Sequence, residues 1–224
     1  MSSLQHLASQ PLNTEEMEAI LNAYGLVVPI CLYSDIFYDG APDLIDYIDS
    51  LPNKAVIMLF RSEPTYGHWI TLFLRRGPSG IADTRNLYVY DSMGLCMPDD
   101  WKSLMRLNKL KLAELGQDGS RLIGAVLKSG FQSIYWNDYE IQSPSPEIQT
   151  CGRHCIIRLL CQGLSVKKYY DRLNAVCASE VNPLINGHAK GLPGTKYDYL
   201  ATALTDLSPS NNALRLELYN KFRS

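Results

Sequence analysis

Residues 68–91 read HWITLFLRRGPSGIADTRNLYVYD, which is two apolar runs separated by a segment rich in turn residues. The runs WITLFL (69–74) and LYVY (87–90) contain the β-branched and aromatic residues that are typical of buried strands. Between them, GPSG contains the glycine and proline of a loop. The pattern predicts an antiparallel hairpin that brings His68 and Asp91 side by side at one end of a sheet.

The remaining sequence predicts further strands in the middle of the chain and helices towards both ends. KAVIMLF (54–60) and SIYWNDYEIQ (133–142) have strand character. Apolar spacing and capping residues predict helices over residues 14–24, 42–51, 99–115, 151–162, 166–178 and 196–207. We therefore expect an α+β fold, with a central, mostly antiparallel sheet flanked by helices.

Composition indicates a folded protein without a membrane segment. The chain has 224 residues, of which 46% are hydrophobic and 20% charged, and we expect a single domain with residues 1–40 as a candidate N-terminal extension. It has no apolar stretch near the ~18 residues that a membrane helix needs and no signal-peptide pattern. Lys and Arg total 21 against 23 Asp and Glu, so net charge gives no reason to expect nucleic acid as a partner. We expect a non-secreted monomer.

Cys151 is the most informative of the six cysteines. Without a secretion signal, we expect the thiols to be reduced. A helix that begins at Cys151, with Thr150 as its N-cap, would place the thiol in the first turn, where unpaired N–H groups favour a thiolate. Cys151 is otherwise a small apolar residue that covers a helix start.

A nucleophilic cysteine needs a base, and the chain has four histidines. We expect His6 to lie in a loose terminus and His188 in a glycine-rich loop. His154 is one turn along the helix from the cysteine, with little freedom to reach its sulfur. His68 is the better candidate, since the hairpin would let Asp91 orient its ring.

Simpler interpretations of these residues remain open. His68 can be a half-buried residue at a strand end, and Asp91 with the following SMG fits a type I turn. Cys151, His154 and Cys155 share a helix face and can supply three ligands to a metal, although a structural zinc site usually needs four.

Four segments, taken in their order along the chain, resemble one family of enzymes. They are GHWITLF (67–73), YVYDSMG (88–94), EIQSPSP (140–146) and TCGRHCIIRLL (150–160). This set is similar to the adenain and ubiquitin-like-protein protease clan of cysteine peptidases, and most similar to the capsid-maturation proteases of adenoviruses, virophages and polinton-like viruses. The resemblance implies a papain-like, adenain-like fold with the nucleophile at a helix N-terminus.

The resemblance implies a role for each matching residue. Cys151 would be the nucleophile, His68 the base, Asp91 the residue that orients it, and Gln142 the donor to the oxyanion. Nine positions separate Gln142 from Cys151, which is longer than is usual in the clan, and Gln149 lies closer in sequence. Gln142 can also be a polar residue that ends a strand.

The resemblance further implies an endopeptidase that needs no cofactor. It would cleave capsid or core precursors, after small or glycine-containing motifs, in the virion, the host cytoplasm or the virus factory. One alternative is a protease that removes ubiquitin-like modifiers at isopeptide bonds. The other is a non-catalytic metal-binding or capsid scaffold protein.

Overall fold

A computed structural model describes residues 2–32, 35–36, 43–63, 66–76, 82–95, 97–103, 105–114, 119–182 and 193–223. Within these ranges the chain forms five β-strands and ten α-helices. It divides into two compact units, of which one comprises Val27–Asp138 and the other Met1–Leu26 with Tyr139–Ser224. The first is built on a β-sheet and the second is helical, and the helical unit contains both ends of the chain.

The sheet has its strands in sequence order. They are β1 (Ile30–Leu32), β2 (Ala55–Glu63), β3 (Tyr66–Arg76), β4 (Ala82–Tyr90) and β5 (Ser133–Trp136). The two central pairings, β2–β3 and β3–β4, are antiparallel, whereas the edge pairings β1–β2 and β4–β5 are parallel. The expectation of a mostly antiparallel sheet is therefore wrong at the edges. Helical segments precede β2 and β5, and a crossover of this kind brings the chain back in the same direction.

The predicted hairpin is present as the antiparallel pair β3–β4. Thr71 lies opposite Tyr90, and the register shifts between Leu74 and Arg76. The GPSG segment, residues 77–80, lies outside the described residues. The antiparallel pairing confirms the predicted hairpin. Both strands bury apolar side chains, and this burial fixes the pairing register.

Four helices accompany the sheet: α3 (Leu44–Ser50), α4 (Met97–Ser103), α5 (Arg106–Glu114) and α6 (Gly119–Lys128). The core of this unit joins apolar side chains of α3 and α6 to those of β2, β3 and β4. The single helix predicted over 99–115 is in fact two helices, and α6 was not predicted. Leu107 and Leu110, which suggested one continuous buried face, are exposed, so they contribute no packing that would hold one long helix together.

The helical unit contains α1 (Ser2–Ala8), α2 (Thr14–Ala23), α7 (Cys151–Leu160), α8 (Val166–Val176), α9 (Lys196–Thr205) and α10 (Asn212–Arg223). The predicted start of α2 is confirmed, because Asn13 and Glu16 form a reciprocal capping box. Helix α7 begins at Cys151 as predicted and packs against α9. Helices α1 and α10 were not predicted, and His6 lies in α1 rather than in a loose terminus.

No helix in the described part of the chain is both long enough and apolar enough to span a bilayer.

Candidate active site

His68 and Asp91 are hydrogen bonded to each other. His68 Nε2 lies 2.7 Å from Asp91 Oδ1, and both side chains are buried. The β3–β4 register pairs Thr71 with Tyr90, and continued by one residue beyond β4 it would set Ile70 opposite position 91. Side chains two apart on a strand point to the same face, so the hairpin brings the imidazole of His68 close to the carboxylate of Asp91.

Asp91 also begins the predicted turn. Its Oδ1 accepts a second hydrogen bond, from the backbone N–H of Met93 at 2.8 Å, and its carbonyl oxygen accepts the N–H of Gly94 at 3.0 Å. The side chain of Asn137, just after β5, donates to the same carbonyl at 2.6 Å. The turn and the contact with His68 therefore coexist, and the turn holds the carboxylate in place for the imidazole.

The hydrogen bond to Asp91 defines what the imidazole of His68 can do. In the neutral ring one nitrogen carries the proton and the other is an acceptor. When Nε2 donates to the carboxylate, Nδ1 has the basic lone pair, and the carboxylate stabilises the imidazolium that forms when Nδ1 takes a proton. This pair thus has the chemistry of an oriented general base.

Cys151 is the first residue of α7 and is buried. Its position in the first turn, among N–H groups that have no partner within the helix, favours negative charge on the sulfur. Thr150 is the N-cap residue, but its side chain makes no capping hydrogen bond, contrary to the prediction. Its backbone (φ −105°, ψ 5°) is not in the extended conformation that is typical of an N-cap residue, and its hydroxyl donates to Asp198 Oδ1 at 2.5 Å.

The five cysteines in the described part of the chain are free thiols. Desolvation by burial raises the pKa of Cys161 to about 11. It also raises the pKa of Cys31 and of Cys177 to about 12. At neutral pH these three side chains stay protonated, so they are poor nucleophiles.

The two candidate oxyanion donors have different surroundings. Gln142 is buried, 1% exposed, in the loop that precedes α7. It does not end a strand, since β5 stops at Trp136, and the prediction of strand up to residue 142 is wrong. Gln149 is partly exposed, and its side-chain amide donates to the carbonyl of Pro146 at 3.1 Å. Only Gln142 thus has a buried side chain of the kind an oxyanion hole requires.

The metal-site interpretation has no support in the described part of the chain. No group of three or more His, Cys, Asp or Glu side chains there is arranged to hold a metal ion. His154 is fully buried and its Nε2 lies 3.0 Å from Asp198 Oδ1. Of the remaining histidines, His6 is exposed on α1, and His188 lies outside the described residues.

Asp198 was not predicted from the sequence. This residue lies in the first turn of α9, is fully buried, and accepts hydrogen bonds from the side chains of Thr150, His154 and Thr195. The local signal was present, because Thr195 and Asp198 form a capping box. That signal locates a helix start, but it does not reveal that residues 48 and 44 positions away donate to the same carboxylate.

An open depression of about 530 Å³ borders the segment that leads to Cys151. Its walls include Gln5, His6, Ser9, Glu147, Gln149 and Pro193. All of these residues belong to the helical unit. Its lining combines polar side chains with the prolines at positions 146 and 193.

The fold and these residues define a mixed α+β protein with a buried His–Asp pair and a cysteine at the start of a helix. No protein-family profile matches the chain. The chain is 30% identical over 137 residues to the uncharacterized protein V9 of Sputnik virophage, an alignment that covers 58% of this chain and 72% of V9. The chain therefore belongs to the same family as this virophage protein.

Proposed function

We propose that this protein is a cysteine endopeptidase with an adenain-like fold that cleaves capsid or core precursors during virion maturation. The observation that supports it most strongly is the 2.7 Å hydrogen bond between buried His68 and Asp91, which fits an oriented general base. Cys151 at the start of α7 supplies the matching nucleophile. The virophage relative supports a viral setting, in the virion or in the virus factory.

In the proposed reaction His68 Nδ1 takes the proton of Cys151, and the thiolate attacks the carbonyl carbon of the scissile bond. The tetrahedral intermediate carries its negative charge on oxygen, where the Gln142 amide and the Cys151 backbone N–H donate to it. The imidazolium then gives its proton to the departing amine, and the acyl-enzyme remains. Water, deprotonated by His68, hydrolyses the thioester and restores the thiol.

The test is to incubate the purified protein with capsid and core precursors of its own virus and with ubiquitin-like fusion proteins, and to map the products by mass spectrometry. We expect cleavage of a precursor after a small or glycine-containing motif. Cleavage of the fusions alone would instead identify a modifier protease. Intact substrates, together with no preferential alkylation of Cys151 at neutral pH, would indicate a non-catalytic scaffold.

Two cysteine variants provide the matched control. Cys151→Ala should abolish cleavage with little change in Tm, because it removes a single sulfur and leaves a small cavity. Cys155→Ala should remain active, since residue 155 lies one turn further along α7, beyond the unpaired N–H groups.

His68→Ala should be as inactive as Cys151→Ala, and the double variant scarcely worse, because the effects of residues that act as a unit are not additive.

A further inference from the structure

The carboxylate of Asp198 joins three segments of the helical unit. Its Oδ1 accepts from Thr150 Oγ1 at 2.5 Å and lies 3.0 Å from His154 Nε2. Its Oδ2 accepts from the backbone N–H and hydroxyl of Thr195, at 2.7 and 2.9 Å, and from the backbone N–H of Ser143 at 3.1 Å. The donors come from the loop before α7, from α7 itself and from the start of α9.

Two of these contacts are next to proposed catalytic residues. Ser143 directly follows Gln142, and Thr150 directly precedes Cys151. The loop between Ser143 and Thr150 contains prolines at positions 144 and 146 and is not part of any helix or strand. Asp198 therefore bridges the two ends of a loop that has no regular structure of its own to fix its span.

The network needs a carboxylate rather than a neutral group. Burial alone would raise the pKa of Asp198, but hydrogen bonds from His154, Thr150 and Thr195 outweigh it and leave the pKa below its ordinary value. The side chain is thus ionised at neutral pH, with both oxygens as acceptors. An amide in the same place would turn its NH₂ group towards at least one donor and leave buried polar groups unpaired.

We propose that Asp198 is a positioning residue that fixes the placement of the Gln142 amide relative to the Cys151 sulfur. This role rests on the proposed cysteine protease function, because it matters only if the two groups act on the same carbonyl. The oxyanion bond strengthens in the transition state, so a misplaced amide lowers kcat far more than it changes KM.

The first test compares Asp198→Asn with the wild-type protein on one peptide substrate. We expect kcat to fall by about 10²-fold, the scale of losing one oxyanion donor, with KM within about twofold. Alkylation of Cys151 by iodoacetamide should be no slower than in the wild type, because thiolate formation does not require the oxyanion donor. A variant that is merely misfolded would instead expose Cys155, Cys161 and Cys177, which are buried in the folded protein, so alkylation of these thiols along with Cys151 would reveal a loss of fold. Asp206→Asn, at the opposite end of α9, serves as the matched control and should be unchanged.

A second pair of variants keeps the inference testable if Asp198→Asn does not fold. Thr150→Val keeps the branched shape but removes the hydroxyl that donates to Asp198, and it should lower kcat by about tenfold. Thr150→Ser restores the hydroxyl and should recover most of that loss.

The outcomes separate the two proposals. If the wild type cleaves and Cys151→Ala does not, but Asp198→Asn and Thr150→Val both keep the wild-type kcat, the positioning role is overturned and the protease function stands. If the wild type cleaves nothing, the protease function fails, and the positioning role fails with it.

Discussion

At the scale of single residues, Asp91 shows how a turn and a buried His–Asp pair can share one oxygen. Its Oδ1 accepts from the Met93 N–H and lies 2.7 Å from His68 Nε2. The sequence pattern that predicts a turn and the pattern that predicts an oriented histidine therefore both depend on Asp91 Oδ1. The two interpretations were competitors in the sequence, and the structure shows that they are compatible.

This shared oxygen leads to a prediction for Asp91→Asn. An asparagine keeps an Oδ1 that can accept both hydrogen bonds, so the turn and Tm should be nearly unchanged. It loses the negative charge that stabilises the imidazolium, and we expect kcat/KM to fall by up to about 10⁴-fold, the scale of losing the orienting carboxylate of a catalytic triad. Asp91→Ala removes the acceptor as well and should lower both activity and Tm. Equal activity of both variants and the wild type would show that Asp91 serves only the turn.

The choice of oxyanion donor is a second prediction at this scale. Gln142→Ala should lower kcat by about 10²- to 10³-fold with little change in KM, because the bond forms fully only in the transition state. Gln149→Ala should have a small effect, since that amide is engaged with the Pro146 carbonyl. Steady-state kinetics on one peptide substrate compare the two. The reverse result would assign the role to Gln149, and two silent variants would leave backbone N–H groups as the only donors.

At the scale of elements, α1 supports the segment around Cys151. The carbonyl of Ala8, its last residue, accepts the N–H of Gln149 at 2.9 Å, and the carbonyl of Leu7 accepts Nη2 of Arg153 at 3.1 Å. Arg153 is buried, and desolvation lowers its pKa to about 10, against the opposing charges of Glu16 and Asp206. The guanidinium and the loop before α7 thus both depend on acceptors that α1 provides.

We therefore predict that deleting residues 2–9 destabilises the protein. The deletion leaves the Gln149 N–H and Nη2 of Arg153 without their acceptors, at about 1–3 kcal/mol for each group, whereas Nη1 of Arg153 keeps its hydrogen bond to Thr205 Oγ1. Urea denaturation should show a loss of about 3 kcal/mol in the free energy of unfolding. Asn13→Ala is the control, because it disrupts only the capping box of α2 and should cost about 1 kcal/mol. A deletion that costs less than the control would contradict the supporting role of α1.

At the scale of the whole molecule, the lowered pKa of Asp198 predicts how stability depends on pH. The folded pKa lies below the unfolded value of about 3.9. The stabilisation that the Asp198 carboxylate gives the folded protein is therefore fully present above the unfolded pKa of this group, and it is lost as the pH falls through the folded pKa. Thermal unfolding between about pH 2 and 7 should show Tm falling below about pH 4, and falling less steeply in Asp198→Asn. Parallel Tm profiles for the two proteins would mean that the carboxylate contributes no net stability.

The sequence by itself determined the elements whose signals are local. The β3–β4 hairpin, the capping box of α2 and the start of α7 at Cys151 follow from apolar alternation and helix-start residues within a few positions of each other. The sequence also predicted the pairing of His68 with Asp91, because the fixed register of a hairpin sets which sequence positions lie next to each other.

The tertiary structure alone decided which distant residues complete the site. Apart from Thr195, the donors to Asp198 lie 44, 48 and 55 positions away in the sequence, and no periodic pattern links them. No local pattern predicts the parallel pairing of the edge strands either. Nor does one predict that the carbonyls of α1 accept hydrogen bonds from Gln149 and Arg153. Local propensity specifies how a segment folds, but a buried polar group must find partners wherever packing brings donors and acceptors together. That condition is met only in the folded chain.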